Sequence, residues 1–278
     1  MSEQIEPGEA VPMNAWQAAA TDLAHCVRFY SRLPVPALPW EQDAHALPSF
    51  PRLVRMIPVA GLLLGLLPAA VFGFALLLDL GPWLAAILSV AAMVVTTGAL
   101  HEDGLADTAD SCGATTIERR LEIMRDSRIG SFGASALFLA LALRIAALAA
   151  LSSRLDGGAV IATILITASL SRTAGLMPLV FLPPARRDGM SQAVGQPARE
   201  TFWFAAGIAV VLAVVLGVLA DLPFAGIVLM LVLSGLSGLA LTRFAKRHLG
   251  GQTGDIAGAA QQAAEIAALI GLLTVLPA

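Results

Sequence analysis

Charge is scarce in this chain. Only 17 Lys and Arg and 20 Asp and Glu occur among 278 residues, 13% in all, against about 25% in soluble domains. Hydrophobic residues make up 57% and the mean hydropathy is +0.79. So few charges cannot coat a water-soluble body of this length, which excludes a soluble globular fold and makes this a membrane protein. Cysteine is scarcer still. Cys26 and Cys112, at no paired spacing, exclude a disulfide framework and a zinc site. A net charge of −3 supplies no global basic field, which argues against nucleic acid as a partner. Aromatics reach 6%, and the dominance of Ala, Leu and Val suits helices better than the alternating strands of a barrel. The polar start, MSEQIEPGEA, lacks the basic and apolar regions of a signal peptide. The first span is therefore expected to stay in the membrane.

What the chain has in abundance is apolar length. Seven stretches match the roughly 20 residues that cross a bilayer: Met56–Leu78, Leu80–Leu100, Ile129–Leu151, Gly157–Leu182, Thr201–Ala220, Leu222–Thr242 and Ile256–Ala278. The last is the least secure, because its start is rich in Gly and Gln. The expected fold is an all-α polytopic bundle of about seven transmembrane helices, with one integral-membrane catalytic domain over 1–278. Residues 1–55 form a cytoplasmic or interfacial segment ahead of the bundle at 56–278. Within it, Ala15–Tyr30 reads as an amphipathic helix lying in the interface or packing on the bundle. Fourteen Lys and Arg fall before the first span or in alternate loops, and only Arg154 falls on the other side. The positive-inside rule then places the N-terminus and the long loops in the cytoplasm. The opposite face keeps only turns near Asp79–Gly81, Leu155–Gly157 and Asp221–Pro223.

The segment His101–Gly113, HEDGLADTADSCG, is expected to continue directly from the second span. On a helix, Asp103, Asp107 and Asp110 at i, i+4 and i+7 fall within roughly 60° of one another. With no cation interleaved, these carboxylates repel, and a divalent cation resolves the conflict. Oxygen-only donors favour Mg²⁺, which commonly binds a few carboxylates together with substrate phosphates. The competing reading is a solvated acidic helix end. Glu102 points about 100° from Asp103 and is a secondary ligand candidate. In the next loop a short helix is expected over Arg119–Arg128, where Arg125 and Arg128 suit phosphate oxygens or serve topology alone.

Four stretches in order, Phe29–Pro36 (FYSRLPVP), His101–Gly113, Arg119–Gly133 (RRLEIMRDSRIGSFG) and Gly250–Gln262 (GGQTGDIAGAAQQ), make the chain resemble the cobalamin synthase (adenosylcobinamide-GDP ribazoletransferase) family. The resemblance implies an Mg²⁺-dependent enzyme of the bacterial cytoplasmic membrane. Such an enzyme transfers the cobinamide-phosphate part of adenosylcobinamide-GDP to the 5′-hydroxyl of α-ribazole, or of its 5′-phosphate, and releases GMP. On this reading Asp103, Asp107 and Asp110 hold metal, and Asp110 or His101 accepts the hydroxyl proton. Gly250 and Gly251 give a turn whose amides face phosphate, and Asp255 adds a metal ligand because the family pattern matches there. Membrane lipid is the other expected partner, and a homo-oligomer is left open.

Three charges fall inside spans. Arg144, near the outer end of its helix, reads as snorkelling outward. Arg172 and Glu265 lie about 15 Å deep and are expected to face the bundle interior, either each other or a substrate cavity. The rival classes are a CDP-alcohol phosphotransferase, a prenyltransferase with a lipid acceptor, and a carboxylate-lined transporter. The first lacks the Arg that should follow Ala106, where Asp107 stands, and the second lacks another Asp-rich motif. A transporter would place its acids near the midplane rather than at one end.

Overall fold

The structure, a computed structural model, describes residues 13–41, 43, 49–186 and 195–277. The polar start, Arg187 and Ala278 lie outside them. The described residues form helices, with one isolated backbone bridge between Pro184 and Gln252. In chain order these are α1 (Ala15–Tyr30), α2 (Phe50–Leu53), a 3-10 turn (Val54–Met56), α3 (Ile57–Leu77), α4 (Gly81–Thr97) and α5 (Leu100–Ser111). Then follow α6 (Ile117–Ile123), α7 (Ser131–Ser152), α8 (Gly157–Gly175), α9 (Met177–Phe181), α10 (Arg199–Leu219), α11 (Phe224–His248) and α12 (Gly254–Leu273).

Six helical runs are long and apolar enough to cross a membrane, and α4 with α5 makes a bent seventh candidate. The expected polytopic bundle is therefore present. Its centre is α8: 83% of its apolar stretch is buried, against 28% for α10 and for α11. Small residues permit that centrality. A β-carbon on Gly61 of α3 would stand 2.5 Å from the Ala168 carbonyl oxygen of α8, so the two backbones touch in the small-xxx-small manner of Gly61 and Gly65. The last helix is also an interior element. The Gln261 and Gln262 that made it doubtful are 2% and 1% exposed.

The α1 helix has the bounds read from its amphipathic pattern, and Asn14 with Gln17 closes a capping box at its start. Two expectations change. The long stretch Gly157–Leu182 breaks at Leu176, ahead of Pro178, into α8 and α9. The second span does not run on into the acidic segment. Gly98 and Ala99 both take left-handed backbone angles (φ 63° and 59°), and α5 leaves α4 at 90°. The acids therefore lie on a separate helix across the end of the bundle.

Candidate active site

The α5 helix has two faces. Its inner face carries Glu102, buried and ion-paired to Arg144 of α7 at 2.8 Å. Gln262 of α12 donates to the same Glu102 oxygen at 3.0 Å, and the second carboxylate of Arg144 is Glu265 at 3.0 Å. Buried charges of this kind need such partners. This corrects three expectations. Glu102 is a structural anchor turned away from Asp103 rather than a metal ligand beside it. Arg144 is 1% exposed and does not snorkel. Glu265 faces the interior as expected, but its ion-pair partner is Arg144. Arg172, also interior, donates to the Ala168 carbonyl at 3.0 Å and contacts the Met93 sulfur at 3.3 Å.

The outer face of α5 carries Asp103, exposed, and Asp107, half-buried. Gly104 between them touches the start of α12, where its missing β-carbon would lie 2.7 Å from the Asp255 carbonyl oxygen. That contact draws Asp255 toward the stripe. Asp107 feels the carboxylates of Asp103, Asp255 and Asp110, with the Arg186 guanidinium as the opposing charge. Among the described residues no three His, Cys, Asp or Glu form a ready-made metal cage. An oxygen-only donor set this open still fits Mg²⁺, which keeps waters and completes its shell with substrate phosphates.

Asp110 has a different task. Its Oδ2 accepts the Gly130 N–H at 2.7 Å and its Oδ1 accepts the Gly133 N–H at 2.8 Å. It thus caps the N-terminus of α7, where the backbone leaves donors unsatisfied. The expected helix over the basic loop is only α6, so Arg125 and Arg128 lie beyond its end. Both are exposed, and Arg128 pairs with Asp126 at 2.6 Å. That pairing holds the Asp126 carboxyl down to about 2.

The 250–255 turn is set by packing. Gly250 takes φ 72°, and a β-carbon on Gly251 would strike the Pro183 carbonyl oxygen at 2.5 Å. Gln252 donates to that carbonyl at 2.8 Å and accepts from Ala185 at 2.9 Å. The clamp brings Arg186 to within 3.9 Å of Asp255. In the sequence Arg186 is one of the fourteen basic residues on the expected cytoplasmic side and has no other mark. Its approach to the acids depends on this long-range bridge, which leaves no local signal.

Beside the acids opens a cavity of about 280 Å³. Phe29, Tyr30 and Phe50 form its aromatic side, and Arg186 and Asp255 lie on its polar side. His101 lines it and stacks on Tyr30, the rings nearly parallel with centroids 5.8 Å apart. Burial pushes the Tyr30 phenol above its ordinary range.

The cobalamin-5-phosphate synthase family matches residues 22–273. The chain belongs to that family. It is 50% identical over 256 residues to the adenosylcobinamide-GDP ribazoletransferase of Azorhizobium caulinodans, covering 91% of this chain and 95% of that protein. The protein of the same name from Xanthobacter autotrophicus is 46% identical, with 91% and 96% covered. That from Rhizobium etli strain CIAT 652 is 45% identical, with 92% and 98% covered. No solved structure matches. In this synthase-family chain the four motif stretches, distant in sequence, meet at one end of the bundle. Tyr30 stacks on His101, Arg32 lies against Gly98, Gly104 against Asp255, and Asp110 caps Gly130.

Proposed function

We propose that this chain is a magnesium-dependent adenosylcobinamide-GDP ribazoletransferase of the bacterial cytoplasmic membrane. It moves cobinamide phosphate onto the 5′-hydroxyl of α-ribazole, or of its 5′-phosphate, and releases GMP. The observation that carries this reading is the outer face of α5. Asp103 and Asp107 stand there opposite Asp255, next to a cavity with an aromatic side. Three acids gathered beside one guanidinium suit a metal-bound diphosphate better than free solvent.

The reaction is a phosphoryl transfer, in which positioning and charge neutralisation dominate. The acceptor oxygen forms a bond to the cobinamide-bearing phosphorus, the bond to the GMP oxygen breaks, and the hydroxyl proton must be taken up. Asp103, Asp107 and Asp255 would hold Mg²⁺, which supplies a positive charge against the diphosphate oxygens. Arg186 adds a guanidinium fork at the cavity's polar side, and Arg125 and Arg128 offer further phosphate contacts from the α6–α7 loop. Of the two expected proton acceptors, His101 lines the cavity, whereas both Asp110 oxygens are engaged at α7. We therefore assign the proton to His101. The Arg-rich loops at this end of the bundle support a cytoplasmic site.

The test is GMP release by the purified protein supplied with adenosylcobinamide-GDP and α-ribazole. Equimolar GMP and adenosylcobalamin, lost on chelation and restored by Mg²⁺, are expected. Absence of GMP release with both substrates present would sink the proposal.

A further inference from the structure

The face of α11 turned away from the bundle changes character once along its length. From Phe224 to Thr242 the helix carries no charge. That run rises about 28 Å at 1.5 Å per residue, close to the roughly 30 Å of bilayer hydrocarbon. Arg243, Lys246 and Arg247 follow at once and are exposed. They span about 6 Å of helix axis, the depth of one headgroup layer at roughly 5–8 Å. On an ideal helix these three cations share an arc of about 120° with Val232, Leu236 and Ala240. Val232 and Leu236 are 47% and 53% exposed, and Ala240 is exposed too. One open stripe therefore runs from acyl-chain depth to headgroup depth. Its polar end is uncompensated. No Asp or Glu occurs between Asp221 and Asp255, and among the described residues none of the three cations is in an ion pair. Elsewhere Arg28, Arg55, Arg119 and Arg128 each hold a carboxylate.

We infer that this stripe is a binding site for an anionic phospholipid in the leaflet on the Asp255 side of the membrane. The tails lie along Val232, Leu236 and Ala240, and the phosphate sits among Arg243, Lys246 and Arg247. Guanidinium forks match phosphate oxygens, and basic residues at headgroup depth attract anionic lipid. Two simpler accounts explain less. Cations in the last turn complement the helix dipole, but Arg243 precedes that turn and the dipole selects no face. Topology asks for a count of Lys and Arg on one side, not for three without carboxylates on a single lipid-facing stripe. A free phosphate would answer the charge but not the apolar continuation of the stripe.

Full-length protein, delipidated in detergent, tests this with fluorescent phosphatidylglycerol and phosphatidylcholine of the same acyl chains, their binding read by anisotropy. The wild type should prefer phosphatidylglycerol by at least about tenfold, and salt should shrink the preference. Arg243→Gln, Lys246→Gln and Arg247→Gln should each weaken phosphatidylglycerol about fivefold and leave phosphatidylcholine unchanged. Inorganic phosphate, compared with chloride at equal ionic strength, should displace no lipid. Displacement by phosphate would mark a site for free anions and overturn the proposal. A second measurement needs no variant. Phosphatidylglycerol with a photoreactive group near its phosphate should label the wild type within residues 240–247. Equal affinity for the two lipids, a preference that survives all three substitutions together, or label confined to other helices overturns the proposal. Each readout is lipid binding, so its failure leaves the transferase reading standing.

Discussion

Asp110 and Gly133 fix each other's identity. The Gly133 amide donates to Asp110 Oδ1 at 2.8 Å, and a β-carbon on residue 133 would collide with Oδ2 of the same carboxylate. The relationship ties the end of the acidic helix to the start of α7 across the basic loop. It turns a residue expected at the metal into the cap of a transmembrane helix.

Asp110→Asn and Gly133→Ala should therefore both destabilise the protein. Loss of a helix cap costs about 0.5–2 kcal/mol, or roughly 2–4 °C per kcal/mol for a chain near this size. Thermal unfolding in detergent measures it. An Asp110→Asn protein with unchanged melting and no turnover would instead return Asp110 to the chemistry.

Asp103→Asn and Asp107→Asn should act the other way. Neither carboxylate anchors a helix, so melting should stay near that of the wild type. Each loses charge where the diphosphate is expected, and GMP release should fall by about a hundredfold, as when one transition-state contact is removed. Retention of more than roughly a tenth of the activity in either variant would remove it from the metal set. Raising Mg²⁺ should recover part of the Asp107→Asn activity.

The segment after α1 gives a pH prediction. Glu41 accepts from Arg28 at 2.7 and 2.9 Å and from the Leu38 amide at 2.6 Å, and its side chain is 2% exposed. The Arg28 hydrogen bonds hold its carboxyl below the usual range. A lowered folded value stabilises the segment above the unfolded value, and that stability is lost as pH falls through the folded one. Trp40, edge-on to Trp16 with centroids 4.8 Å apart, reports the docking. His25 Nε2 also lies 3.2 Å from Glu41 Oε1, and the part of the response that belongs to Glu41 is a change in tryptophan emission below about pH 4. Glu41→Gln should show the loosened spectrum already at neutral pH.

How far the sequence carried these conclusions depended on distance along the chain. Periodicity and caps are local, so α1, most of the spans and the three-acid stripe were legible. So was the interior placement of Arg172 and Glu265, since a deep charge has to avoid lipid. The 100° offset of Glu102 from Asp103 was legible too, but not what Glu102 meets. Depth along a helix does not give the direction a side chain faces across the bundle, and for that reason Arg144 reads as snorkelling in the sequence although it is buried. The bend at Gly98–Ala99 was hidden inside an apolar run. Arg186 reaches the acids through the Pro184–Gln252 bridge, and Asp110 meets Gly133 across 23 residues. Both contacts are tertiary.

Arg144 is the residue on which the orientation of α5 depends. It joins Glu102 of α5 to Glu265 of α12 inside an apolar bundle, and Gln262 bridges the same group. Arg144→Met leaves two buried carboxylates without their cation, at a cost of about 3–5 kcal/mol. Glutamines at both acid positions remove that unpaired charge. The combination of Arg144→Met, Glu102→Gln and Glu265→Gln should therefore regain much of the stability. It should not regain full turnover, because α5 loses the ion pair that turns Asp103 and Asp107 outward. Melting temperature and GMP release, read on the same preparations, separate the two effects. If stability and turnover recovered together, Arg144 would be a packing residue with no part in aiming the acids.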